Sequence, residues 1–136
     1  FRPEGKTYIC GTSPGADNDP DDLPLDEVDH RLFDDVIWPT LAHRVPEFEA
    51  LRVANCWSGY YEYNVFDHNA IIGYHPQIEN CVFANGYSGH GLQQGPATGR
   101  GVSELILNGR YVSLDLSSLN WDRLLENRPI VEKNVV

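Results

Sequence analysis

Gly86, Gly89 and Gly91 stand close together, interleaved with Ser88 and His90. Glycine adopts positive φ and lets another group come close to the main chain, so a chain turning under a flat polar ligand needs it there. Backbone rather than side chain then meets the ligand, with a hydroxyl and an imidazole adding polar tips. Just beyond lie Pro96 near a first turn, Val102, Leu105 and Ile106 at helical spacing, and Asn108-Gly109 as a stop. The glycines therefore lead into a helix N-terminus. Its first N–H groups lack internal partners and carry partial positive charge, which favours an anionic or electron-rich ligand edge by roughly 0.3 to 2 kcal/mol. A phosphate or a reduced flavin ring offers such an edge. The same strand-to-helix turn also serves tight packing alone, so spacing leaves both readings open.

Other chemistries fit less well. Gly86-Tyr87-Ser88-Gly89-His90 departs from a nucleophile elbow, which needs glycine where His90 stands. Gly89 and Gly91 are followed by Gln94 one place before Gly95, so a dinucleotide fingerprint fails by one residue, and no P-loop is present. Cys10, Cys56 and Cys81 are too few and scattered for a disulfide framework or a zinc knuckle, and read as reduced thiols. His68 and His75 flank a short apolar run without a third ligand, so no metal site is expected.

Gly86-Tyr87-Ser88-Gly89-His90-Gly91-Leu92, preceded by Trp57-Ser58-Gly59-Tyr60-Tyr61-Glu62 and Ile71-Ile72-Gly73-Tyr74-His75-Pro76, resembles the C-terminal part of D-amino acid oxidase-like flavoproteins, which include sarcosine oxidase and dimethylglycine dehydrogenase. Trp38-Pro39, Arg44-Val45-Pro46, Asn64 to Asp67 and the ending Asn134-Val135-Val136 extend the likeness towards a mitochondrial branch linked to assembly of respiratory complex I. It runs from about Phe1 to the end.

The resemblance implies a role for each matched residue. Gly59, Gly86, Tyr87, Ser88, Gly89, His90, Gly91, Leu92 and Gln93 would border an FAD, the stretch from Gly86 to Gln93 lying along the pyrimidine edge of the flavin. Reduction places negative charge near N1 and the C2 carbonyl, where backbone donors and a positive helix end stabilise it. Tyr61 and Gln93 are the candidate catalytic residues. Tyr61 falls where family members place a substrate-side tyrosine, whose hydroxyl can hold a substrate carboxylate while its ring excludes water. Gly59 stands where covalent members carry the cysteine that bonds the flavin, so the FAD is expected to be non-covalent. Gln93 stands where amine oxidases of the family carry a lysine, which removes a cation that would hold a carboxylate and assist reaction with oxygen. The family's Thr-Pro-Asp becomes Asn64-Val65-Phe66-Asp67, one residue longer.

The elements that must position these residues follow from pattern. Lys6 to Gly11 reads as a strand that expects partners from sequence outside the chain, and Thr12 to Pro24 as a loop. Asp26 to His43 has helical spacing from an Asp cap, bent or broken at Pro39. Val53 to Tyr63 is rich in aromatic and β-branched residues and predicts a strand, followed by a turn at Asp67-His68-Asn69, a strand through Ile71 and Ile72, and a strand Cys81 to Ala84 entering the glycines. Arg110 to Leu116 reads as extended, Asn120 to Glu126 as a short helix and Pro129 to Val136 as a tail.

Together with the resemblance, this predicts an α+β chain. About 1–75 would be elements of an antiparallel substrate-domain sheet, and about 76–136 the last strand and helix of an FAD-binding domain with its tail. The 136 residues lack methionine and a dinucleotide fold, so the expected partner is an N-terminal portion of the same protein. A net charge of −10 excludes nucleic acid, and no apolar run is long enough to span a bilayer. Nine acidic residues between Asp17 and Asp35 carry most of the charge, with Arg31 as the sole base there, and read as a solvated face.

Two functions fit. One is an FAD oxidoreductase that removes hydride from the carbon next to nitrogen in a small amine or amino acid, this chain closing the flavin and substrate pocket. The other is a mitochondrial protein that keeps the flavoprotein fold to dock on complex I subunits or assembly intermediates.

Overall fold

The computed structural model describes residues 1–19 and 22–133. Pro20, Asp21 and the ending Asn134-Val135-Val136 lie outside the described residues, so part of the expected loop and tail does too. Tertiary contacts divide the chain into two compact units, Phe1–Tyr60 and Tyr61–Val136. The only sheets among the described residues are two antiparallel pairs, accompanied by helices, an α+β composition as expected.

In the first unit, β1 (Arg2–Glu4) and β2 (Thr7–Ile9) form a hairpin with Arg2 opposite Ile9 and Glu4 opposite Thr7. Gly5 makes the turn at φ 60°. The expected opening strand thus finds its ladder partner in the four residues before it. Phe1, Tyr8 and Phe48 close the unit edge to face, with Tyr8 and Phe48 centroids 4.9 Å apart.

The helical pattern around Pro39 is realised differently from the expectation. Phe33–Ile37 forms a π turn, with the Trp38 N–H donating to the Phe33 carbonyl, and α1 (Trp38–Arg44) follows directly. Pro39 lies in the first turn of α1, just after the π turn. The coil passes through Pro39 unbroken, running from Arg31 through the π turn to Arg44. The Asp26 cap does not form, because residues 27–29 are not helical and the coil winds up only from Arg31.

In the second unit, β3 (Ile71–Tyr74) pairs with β4 (Val82–Asn85), Ile71 opposite Asn85 and Tyr74 opposite Val82. The long helix α2 (Gly91–Asn108) packs on this hairpin, burying Thr98, Gly101 and Leu105, and ends at Gly109 with φ 68°. Ala70, Ile72 and Leu105 form the small apolar core. The Tyr74 hydroxyl ties strand to helix by donating to the Leu105 carbonyl at 2.9 Å. Beyond a 3-10 turn at Ser117–Leu119 comes α3 (Asp122–Leu125), and Phe83, His75 and Trp121 stack between hairpin and α3.

Two expectations for the elements fail. Val53 to Tyr63 forms no strand: no described residue pairs with it as a ladder, and Trp57, Tyr60, Tyr61 and Tyr63 are exposed. Strand propensity needs a neighbouring strand to become structure. Pro96 lies inside α2, just beyond its first turn, since the helix begins at Gly91. Arg110 to Leu116 bends instead of extending, because the Glu104 carboxylate captures the N–H groups of Val112 and Ser113 at 2.7 and 3.0 Å.

Candidate functional site

β4 delivers the chain into the glycine corner, and α2 takes it away. Between them Gly86, Ser88 and Gly89 take φ of 75°, 50° and 90°, and His90 occupies the cap position without capping the helix through its side chain. Three left-handed residues in four reverse the chain abruptly. Two of the three are glycine, for which that region costs little; Ser88 is the exception and must be held.

Ser88 is held from both sides and is fully buried. Its N–H donates to the Glu62 carbonyl at 3.1 Å, and its hydroxyl oxygen accepts the Asn64 N–H at 3.0 Å. A Cβ on Gly86 would lie 3.3 Å from the Asn64 Cβ, so the corner and the 62–64 segment are in tight contact. Tyr87 lies under the turn, where a Cβ on Gly91 would come 3.6 Å from its ring.

The outer side is open. Gly89, Leu92 and Gln93 are exposed, Leu92 at 91%. The His90 N–H donates to the Tyr87 carbonyl and the Gln94 N–H to the His90 carbonyl. The N–H groups of Gly89, Gly91, Leu92 and Gln93 have no acceptor among the described residues. They form the row of donors at a positive helix end that an electron-rich edge requires. The corner is not packed blindly against a core.

The chain matches the FAD dependent oxidoreductase family over residues 1–105. It belongs to that family. The frog Xenopus laevis has an FAD-dependent oxidoreductase domain-containing protein 1 that is 49% identical across all of this chain, and a Drosophila melanogaster homolog is 39% identical over 97% of it. A glycine oxidase of Bacillus licheniformis is 33% identical over 46% of the chain. The chain spans 28% of the length of the frog protein and 25% of the fly homolog. No solved structure matches.

An FAD-dependent oxidoreductase must place donors at the flavin without blocking it, and this chain's donor set fits such a ring: unpaired backbone N–H groups at a helix start, with glycine at the turn. The structure brings Gly86, Tyr87, Ser88, Gly89, His90, Gly91, Leu92 and Gln93 into one corner. Tyr61 reaches its neighbourhood through Glu62, and its ring meets Tyr63 edge to face at 6.3 Å. Gly59 belongs to the first unit, outside any helix or strand and with open space where a Cβ would stand.

Sequence reasoning missed the support of the corner. Asp67 and Arg123 are each 1% exposed and form a two-pronged ion pair, Nε to Oδ2 at 2.7 Å and Nη2 to Oδ1 at 3.0 Å. Burial pushes the Asp67 carboxyl up, but the Arg123 guanidinium and the N–H groups of Ile130 and Asn69 outweigh it and hold the group below the usual carboxylate range. The remaining guanidinium donors reach the carbonyls of Leu119, Asn120, Asn69 and Ala70. Asn64 joins this pair to the corner. Its signal was present in the Asn64-Val65-Phe66-Asp67 tetrapeptide, since Asn and Asp so spaced readily bond nearby backbone. Arg123 carried none, being 56 residues from its partner.

Among the described residues, no three His, Cys, Asp or Glu side chains gather to hold a metal ion, and no helix is long and apolar enough to cross a membrane.

Proposed function

We propose that this chain forms part of the flavin and substrate pocket of an oxidoreductase that holds FAD non-covalently and oxidises the carbon next to nitrogen in a small amine or amino acid. The observation carrying this reading is the open row of N–H donors at Gly89, Gly91, Leu92 and Gln93. FAD bound there would accept the hydride. Gly86 and Ser88 set the corner's path, and Tyr87 and His90 line it. Glycine at 59 offers no sulfur to bond a flavin. Tyr61 orients the substrate carboxylate by its hydroxyl and shields the reacting carbon from water. The name of the glycine oxidase relative supports an amino acid as substrate.

The chain's partner in this reading is the sequence that its longer relatives carry beyond it. Val65 at 83%, Leu92 at 91% and Leu107 at 81% exposure are apolar side chains suited to meet further protein. About 1–75 would then complete a substrate domain, and about 76–136 return to the FAD-binding domain.

A second reading is favoured by Gln93, an exposed neutral side chain where amine oxidases of the family use a lysine. In it the protein docks on respiratory complex I subunits or assembly intermediates in the mitochondrion and has little oxidase activity. One experiment separates the two. The full-length protein is purified, its flavin absorbance recorded, and a panel of amines and amino acids added without oxygen. Bleaching by one of them supports the oxidoreductase; bound FAD that none reduces supports docking; absence of FAD sinks the first reading.

A further inference from the structure

The corner is shaped by strained and glycine residues, yet what keeps it in place lies behind it. Asn64 uses every polar group it has. Its N–H goes to the Ser88 hydroxyl, its Nδ2 donates to Asp67 Oδ1 at 3.2 Å and to the Asn69 carbonyl at 2.6 Å, and its Oδ1 accepts the Phe66 N–H at 3.0 Å. Asp67 in turn is clamped by Arg123. A continuous hydrogen-bonded line therefore runs from α3 through Asp67 and Asn64 to Ser88, the one non-glycine residue of the corner that holds positive φ. Side-chain networks of this kind, with every member paired, rigidify what they touch.

We propose that Asn64 is a positioning residue for the flavin corner, transmitting the rigidity of the buried Asp67–Arg123 pair to Ser88 and so fixing where the free N–H groups of Gly89, Gly91, Leu92 and Gln93 point. This rests on the reading that the corner borders FAD. Asn64 does not touch the flavin. Its role is to keep the donors aimed at the position where charge develops, and a donor row that wanders stabilises the oxidised ring almost as well but the reduced ring less. Asn64 therefore governs the difference in affinity between the two forms rather than affinity as such.

The test uses the full-length protein and compares wild type with Asn64→Ala and Ser88→Gly. The glycine variant deletes the hydroxyl anchor and relieves the strain while leaving Asn64, Asp67 and Arg123 in place. Bound-flavin reduction potential is the readout, with thermal melting to report folding. Both variants should lose about tenfold in preference for reduced over oxidised FAD, a fall of about 30 mV for a two-electron couple. Tyr74→Phe, which removes a strand-to-helix bond outside the line, should lower the melting temperature and leave the potential alone. Wild type that binds FAD, with a potential unchanged in either variant when folded, overturns this inference and leaves the proposed function standing. Wild type without FAD overturns both. If Asn64→Ala fails to fold, Ser88→Gly decides.

Discussion

Arg123 and Asp67, 56 residues apart in the chain, meet as a buried ion pair in which the guanidinium nitrogens also reach four backbone carbonyls. Asp67 Oδ2 further accepts the Ile130 N–H, and its carbonyl accepts the Glu132 N–H, so the same residue fastens the chain beyond α3. Removing one partner leaves an uncompensated buried charge. Arg123→Ala should destabilise the protein by about 3–5 kcal/mol, measured by chemical denaturation, with Arg123→Lys intermediate because three donors replace five. Exchanging both partners for apolar residues often rescues such a pair. Here it should not, since the carbonyls and N–H groups around the pair would lose their partners too. A double variant as stable as wild type would refute that.

Acid should unfold the second unit in a defined window. Glu104 is held down to about 2 by Ser113, through its hydroxyl and N–H, and by the Val112 N–H. Asp67 and Asp115 are likewise lowered, the latter by the Ser117 N–H. A carboxyl with a depressed folded-state pKa adds stability that is fully present above its unfolded value, about 4, and is lost as pH falls through the folded value. Stability should therefore begin to drop below about pH 4.5 and keep dropping to about pH 2. Glu104→Gln should flatten the lower part of that curve. An unchanged acid profile in the variant would show that Glu104 is not what loses its charge.

Gly86→Ala should cost about 1–2 kcal/mol, because φ is 75° and the new methyl would stand 3.3 Å from the Asn64 Cβ. The clash pushes on the segment that anchors Ser88, so FAD retention should fall along with stability. Gly109→Ala offers the contrast: φ is 68° but nothing lies within 4 Å, so only the conformational cost applies. Gly109→Ala should leave FAD binding at the wild-type level. Equal loss of flavin in both variants would argue against a specific role for the corner.

Tyr74→Phe should lower stability by about 0.5–1.5 kcal/mol through loss of the bond to the Leu105 carbonyl. Hydrogen exchange should show faster opening at the C-terminal half of α2 and no change at its start. Uniform protection along the helix in the variant would contradict this.

Local pattern was legible where an element closes on near neighbours. The Ile71 strand, the strand entering the corner, the stop at Gly109 and the short helix at Asp122 follow from residues within a few positions of each other. Cys10, Cys56 and Cys81 form no disulfide with one another. Val53 to Tyr63 misled because aromatic and β-branched content states a preference that only a ladder partner can realise. Around Pro39, spacing announced a helix bent or broken there but could not tell how the coil would pass the proline. That depended on the π turn running up to Trp38.

At the corner, sequence by itself determined which residues could turn left-handed and which family the motif resembles, since glycine spacing and motif order are properties of the chain alone. Only the tertiary structure decided that Ser88 is the residue held in place, that the N–H row faces outward, and that Asn64, Asp67 and Arg123 stand behind it. Hydrogen-bond partners so distant along a chain are chosen by packing and desolvation, which no local pattern of residue types encodes.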